Sequence, residues 1–312
     1  MNKAFFKRAV MALACSAAVA GVAPTQAADT YTQTRYPIVL VHGLLGFDNI
    51  GAIQYFYGVP SALRSGGAVV FVPQQSAANS SERRGDQLLN QLRELRRVYG
   101  YTKFNLIGHS HGGQSVRYVA AMEPGLVASV TTVGTPHQGT KVADLIKAGT
   151  SATGTTPFVA SLVNGLAKLI SVLSGAPTAP QDALAALTSL DTPGAQAFNR
   201  KFPQAAPTTS CGQGAAVVNN VRYYSASGTS VLTNALDVSD AGLGLTALAF
   251  GGEANDGLVS RCSSRWGTVL RDNYPWNHLD EVNQAFGLRG VFAPDPVAFY
   301  RSQANRLKSV GL

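Results

Sequence analysis

The sequence predicts an α/β fold built on a mostly parallel central sheet. Two observations carry this: short apolar, β-branched runs alternate with helical patterns, and a glycine-bracketed serine stands where one such run meets a helix. The strand candidates are residues 36–41, 69–72, 104–107, 127–133 and 217–224. Three of them are nearly continuous in apolar residues, as strands covered on both faces should be. Strands separated by helices in one sheet imply right-handed crossovers and hence parallel neighbours. No internal repeat is visible.

The elements follow in order. Lys3, Lys7 and Arg8 precede an apolar stretch over 9–23, and Thr25-Gln26-Ala27 is a small-residue cleavage site, so residues 1–27 read as a secretory signal peptide. The stretch is short and alanine-rich for a permanent membrane span. Removing 27 of the 312 residues leaves 285 (28–312), which suits a single α/β domain. Net charge falls from +8 to +5 with the leader, and no basic run with interleaved aromatics is present, which argues against nucleic acid as a partner. Cys15 leaves with the leader. Cys211 and Cys262 remain, and an even pair in an exported chain reads as one disulfide.

Between the second and third strand candidates, Leu88, Leu92, Leu95 and Val98 fall at helical spacing, predicting a helix over 81–99. The third run leads into Gly108-His109-Ser110-His111-Gly112, followed by a helical pattern over 114–122. This is a G-x-S-x-G nucleophile elbow in its required context, a sharp strand-to-helix turn that lifts Ser110 above the sheet. Residues 158–173 form a second distinctive segment. Thr156 and Pro157 open a helix and Gly175 closes it, between flanks rich in small residues. Its wide apolar stripe fits either a core helix or a movable lid that meets a lipid surface.

A serine hydroxyl needs a base, and the base needs an orienting acid. In this architecture the order along the chain is Ser, then Asp or Glu, then His. Of five histidines, His42 precedes the serine, and His109 and His111 flank it with side chains the elbow turns away. His137 has only Glu123 between itself and Ser110, and that residue belongs to the helix after the elbow. His278 remains as base. Eight acids lie between 137 and 278, and Asp256 in the tight turn Asn255-Asp256-Gly257 is the best placed. The oxyanion hole needs one backbone N–H from the residue after the nucleophile, His111, and one from a loop after an earlier strand. His42-Gly43-Leu44-Leu45-Gly46 supplies that loop, with Leu44 as donor and His42 as its brace. Near His278, the residues Asp280, Gln284, Leu288, Asp237 and Asp240 offer oxygen groups. They fit either ordinary surface acids and caps or the ligands of a hard cation such as Ca²⁺.

With these residues in view, the chain resembles the secreted triacylglycerol lipases of the Pseudomonas and Burkholderia type. The resemblance spans essentially the whole mature chain and rests on Arg35 through Gly43, Asn105 through Gly113, Asn255-Asp256-Gly257, and Asn277 through Gln284. It implies an α/β-hydrolase fold with six parallel central strands, helices on both faces and a helical lid near 153–176. It implies Ser110, Asp256 and His278 as the triad. It further implies a structural calcium on Asp237, Asp280 and the backbone carbonyls of Gln284 and Leu288, with no organic cofactor, and a Cys211–Cys262 disulfide. The implied partners are a lipid interface and a membrane-anchored periplasmic foldase, and the implied product is an extracellular monomer without an integral membrane span. The leading expectation is an interface-active triacylglycerol lipase. The alternative is an esterase or polyester hydrolase with the same triad.

Overall fold

The computed structural model describes residues 29–44, 46, 49–50, 53–151, 157 and 181–312. The signal peptide (1–27) lies outside the described residues, and so does the expected lid near 153–176 apart from residue 157.

In chain order the elements are β1 (Ile38–Val41), a small hairpin of β2 (Asn49–Ile50) and β3 (Ile53–Gln54), α1 (Val59–Ser65), β4 (Val70–Phe71), α2 (Ser81–Tyr99), β5 (Phe104–His109) and α3 (His111–Met122). Next come β6 (Val127–Val133), α4 (Lys141–Ser151), α5 (Ala183–Leu190), α6 (Thr192–Lys201), β7 (Val217–Val218), β8 (Val221–Gly228), α7 (Asp240–Ala247), β9 (Thr268–Tyr274) and α8 (Pro296–Ser309). The central sheet runs β4-β1-β5-β6-β8, with β9 beside β8, and every one of these pairings is parallel. It therefore holds the six parallel strands the resemblance implied, plus a short antiparallel flank, β7.

Two apolar layers sandwich this sheet, and the alternation of β1 shows why. Val39 and Val41 face Leu88, Leu89 and Leu92 of α2 and Val116, Val119 and Ala120 of α3. Ile38 and Leu40 face Val59 and Leu63 of α1 and Phe299, Tyr300 and Ala304 of α8. Side chains alternate across a strand, so a strand covered on both sides must be apolar throughout.

The helix predicted over 81–99 is α2 itself. Ser80 caps it, its side chain accepting from the Arg83 N–H at 3.2 Å, and Gly100 ends it in the left-handed conformation. Its predicted stripe overreaches by one turn, since Val98 is exposed. The run 217–224 is not one strand. Asn219 and Asn220 both adopt positive φ and split it into the β7–β8 hairpin. Asparagine tolerates that conformation, and two such residues make a tight hairpin turn. No strand was predicted at β9. It is an edge strand with the mixed sequence TVLRDNY, so its apolar signal is weak. The apolar stretch 245–250 before Asp256 is the end of α7 and one 3-10 turn.

Candidate active site

Ser110 sits between the last residue of β5 and the first of α3, with φ 53° and ψ −129°. A non-glycine residue held there costs about 1–3 kcal/mol, offset by its surroundings. Its N–H is fixed to the Val133 carbonyl of β6 at 2.9 Å, and its own carbonyl accepts from the Gly113 N–H at 2.9 Å. The glycines of the elbow are obligatory. A Cβ on Gly108 would lie 2.4 Å from the Gly112 carbonyl oxygen, and one on Gly112 would lie 2.3 Å from that of Val41.

His278 and Asp256 come together from loops 22 residues apart. His278 Nδ1 lies 2.8 Å from Asp256 Oδ2, and the His278 backbone N–H donates to the Asp256 carbonyl at 2.9 Å. The other carboxylate oxygen of Asp256 accepts from the N–H groups of Leu258 (2.9 Å) and Val259 (2.7 Å). This fully buried aspartate is thus satisfied on both oxygens. An acid on Nδ1 leaves Nε2 as the basic nitrogen of the imidazole.

Ser110 and His278 line one cavity of about 260 Å³. Leu44, Pro136, Val142, Ile146, Leu187 and Leu190 are among its apolar walls. Leu44 belongs to the loop after β1. His111 is the first residue of α3, so its N–H has no acceptor within the helix. Of the two residues expected to supply the oxyanion donors, Leu44 lines the same cavity as Ser110 and His111 follows Ser110 directly in the chain. His42 braces the loop as expected. Its Nε2 accepts from the Gln75 N–H at 3.2 Å, which leaves Nδ1 to donate to the Gly43 carbonyl at 3.0 Å. Burial holds its pKa down to about 3, so the ring is neutral.

Two residues near Ser110, His278 and Asp256 were not singled out in the sequence. Glu281 is fully buried. Its Oε1 accepts from the Gly228 N–H at 2.6 Å, and its Oε2 lies 3.3 Å from His109 Nε2 and 3.9 Å from His278 Nδ1. Burial, then the nearby Asp256 charge, push its carboxyl well above the usual range. Tyr55 bridges its Oη to His109 Nδ1 at 2.6 Å and accepts from the Gly43 N–H at 3.0 Å. His109 therefore faces the site more than the elbow geometry suggested: its ring centre is 4.6 Å from that of His278. The ligand atoms of His109, His278 and Glu281 lie within 4.8 Å of one another. Two imidazoles make a poor calcium site, because Ca²⁺ takes oxygen ligands.

The oxygen groups behind His278 sort into two kinds. Asp240 is saturated: Oδ2 accepts from the Thr233 and Asn234 N–H groups, and Oδ1 from Asn277 Nδ2 at 2.7 Å. Asp237 and Asp280 are buried, and each keeps one carboxylate oxygen without a hydrogen-bond partner, Oδ2 and Oδ1 respectively. Burial above all, with repulsion from Asp237 and Asp240 adding to it, raises the Asp280 pKa to about 7. Asn283, Phe286 and Gly287 on the neighbouring loop all take positive φ, which is strained for phenylalanine.

The α/β-hydrolase fold family matches residues 36–269. A triacylglycerol lipase of Vibrio cholerae serotype O1 is 53% identical over 283 residues, covering 90% of each chain. A triacylglycerol lipase of Pseudomonas fragi is 46% identical over 295 residues, covering 91% of this chain and all of the relative. The chain belongs to the triacylglycerol lipases of the α/β-hydrolase fold. Staphylococcus hyicus lipase, a solved structure, shares the fold at 20% identity with a TM-score of 0.57, covering 88% of this chain and 96% of that one.

As in the resemblance to this lipase family, Cys211 and Cys262 are joined, and the bond closes a separation of 51 residues. It anchors the segment that carries Asp256. Arg265, three residues past Cys262, donates to the Cys211 carbonyl and pairs through Nε with Asp272 on β9 at 2.6 Å. Arg261 pairs with the same carboxylate. No helix among the described residues is long and apolar enough to cross a membrane.

Proposed function

We propose that this lipase hydrolyses long-chain acylglycerols at a lipid–water interface, with Ser110 as nucleophile, His278 as base and Asp256 as orienting acid. The observation that carries the reading is the bonded His278–Asp256 pair, whose histidine lines the same apolar cavity as a serine raised on a strained elbow. Ser110 Oγ attacks the ester carbonyl and passes its proton to His278 Nε2. Asp256 holds Nδ1 and stabilises the imidazolium. The Leu44 and His111 amides receive the oxyanion, where a lost donor typically costs about 10²–10³ in rate. His278 then protonates the departing alcohol, and water repeats the cycle on the acyl-enzyme.

The unpartnered oxygens of Asp237 and Asp280 fit one structural Ca²⁺. Those carboxylates and the carbonyls of Gln284 and Leu288 would hold it, and its role is to tie the His278 loop to the 233–240 loop. A cation there would relieve the repulsion around Asp280 and help offset the strain at Phe286. Cleavage after Ala27 follows the leader pattern of residues 1–27, and the family resemblance adds folding with a periplasmic membrane-anchored foldase, release as an extracellular monomer, and a lid near 153–176.

An ester panel of increasing chain length, assayed below and above each solubility limit, tests this. We expect turnover to rise once an interface forms and to vanish in Ser110→Ala. Activity confined to dissolved short esters would favour the esterase or polyester reading, and activity surviving in Ser110→Ala would sink the nucleophile assignment.

A further inference from the structure

Arg84 is fully buried on the first turn of α2 and pairs with no carboxylate among the described residues. Its two terminal nitrogens donate to backbone carbonyls, while its Nε has no hydrogen-bond partner among the described residues. One terminal nitrogen donates to the carbonyls of His42 (2.6 Å) and Gly43 (3.1 Å), and the other to those of Ser76 and Ala77. A guanidinium taken from water without a counter-charge is costly, so its position invites a function. The Gly43 carbonyl and the Leu44 N–H belong to one peptide plane, and in a trans peptide they point in opposite directions. Gripping the Gly43 oxygen therefore aims the Leu44 N–H away from Arg84. Three residues earlier on the same helix face, Ser81 Oγ contacts His111 Nε2 at 2.9 Å. His111 carries the other oxyanion donor. Burial keeps the His42 and His111 rings neutral, and the Arg84 charge adds to that effect.

We infer that the first turn of α2 clamps both arms of the oxyanion hole: Arg84 and Ser81 are positioning residues, and the Arg84 charge complements the negative charge that develops on the substrate carbonyl. The inference rests on the reading of Leu44 and His111 as the oxyanion donors and goes beyond it, because neither Arg84 nor Ser81 touches substrate. In a low-dielectric interior a fixed charge behind the donors acts chiefly on the tetrahedral state, where the oxygen is most negative.

The test compares Arg84→Met, Arg84→Lys and Ser81→Ala with the parent enzyme. The readouts are kcat and KM on a soluble ester, melting temperature, and the affinity of an alkyl boronic acid, whose adduct on the serine places a negative oxygen in the hole. For Arg84→Met we expect kcat to fall about 100-fold with KM nearly unchanged, and boronate affinity to fall in parallel. Arg84→Lys, which keeps the charge, should recover part of both, and Ser81→Ala should lose several-fold in each. A folded Arg84→Met enzyme with parental boronate affinity overturns the clamp. If Arg84→Met does not fold, Arg84→Lys decides: kcat and boronate affinity falling together support the clamp, and a lower melting temperature alone overturns it. A fluorophosphonate separates the two readings. No labelling of Ser110 in the parent enzyme removes the triad and this inference together, whereas a labelled parent with unchanged boronate affinity in the variants removes only the clamp.

Discussion

His278 and Asp256 are tied to each other twice, through Nδ1 and Oδ2 at 2.8 Å and through the His278 N–H and the Asp256 carbonyl at 2.9 Å. The backbone bond sets the loop and the side-chain bond sets the tautomer. Asp256→Asn preserves the first, and its amide oxygen can still accept from Leu258 and Val259. Its NH₂ would face Nδ1 and force the proton onto Nε2. We expect kcat to fall by about 10⁴-fold with little change in melting temperature. Steady-state kinetics on a soluble ester check this, and a loss under tenfold would refute Asp256 as the orienting acid.

Removing calcium should act on stability before chemistry. With EDTA the buried Asp237 and Asp280 carboxylates would lose the counter-charge proposed for them, and the melting temperature should fall. Adding CaCl₂ should restore it in a concentration-dependent way, by about 2.7 kcal/mol of stabilisation at a hundredfold excess over Kd. Asp280→Asn should abolish that response. A melting curve indifferent to EDTA in the parent enzyme argues against the site.

We expect the cavity wall to set which acyl chains fit. Leu187 on α5 lines the cavity beside Val142 and Ile146 of α4. Leu187→Trp should narrow it and shift preference toward short chains. A pocket changed by a few methylenes discriminates by about 1–3 kcal/mol each, so the octanoate-to-butyrate ratio of kcat/KM should drop by at least about tenfold. An unchanged ratio would mean the acyl chain lies elsewhere.

The disulfide should matter for persistence more than for turnover. Closing 51 residues limits the unfolded chain by about 4 kcal/mol in the loop-entropy account. Cys211→Ser/Cys262→Ser should therefore melt several degrees lower, with kcat close to the parent below the transition. Loss of activity in a folded double variant would show that the bond also positions Asp256.

Much of the site was legible in the chain because its logic is local or ordinal. The elbow is a contiguous string whose glycines answer to sterics, and chain order alone chose His278 and favoured Asp256. The strands were legible where both faces are buried, and β9 was not, because an edge strand carries a mixed pattern. The β7–β8 split was written in Asn219-Asn220 but masked by the apolar residues on either side. Glu281, Tyr55, Arg84 and the saturated state of Asp240 had no signal of their own. Their hydrogen-bond partners lie 6 to 54 residues away, and spacing along the chain cannot report them.

By itself, then, the sequence determined the parallel α/β architecture, the strained serine, and the candidate base and acid, because strand burial, turn sterics and triad order are properties of short segments. Tertiary structure decided which acids keep an unpartnered oxygen, which histidines stay neutral, and which arginine lies behind the loop after β1. Those outcomes depend on burial and on hydrogen bonds between distant segments, and burial exists only once the two apolar layers have closed on the sheet.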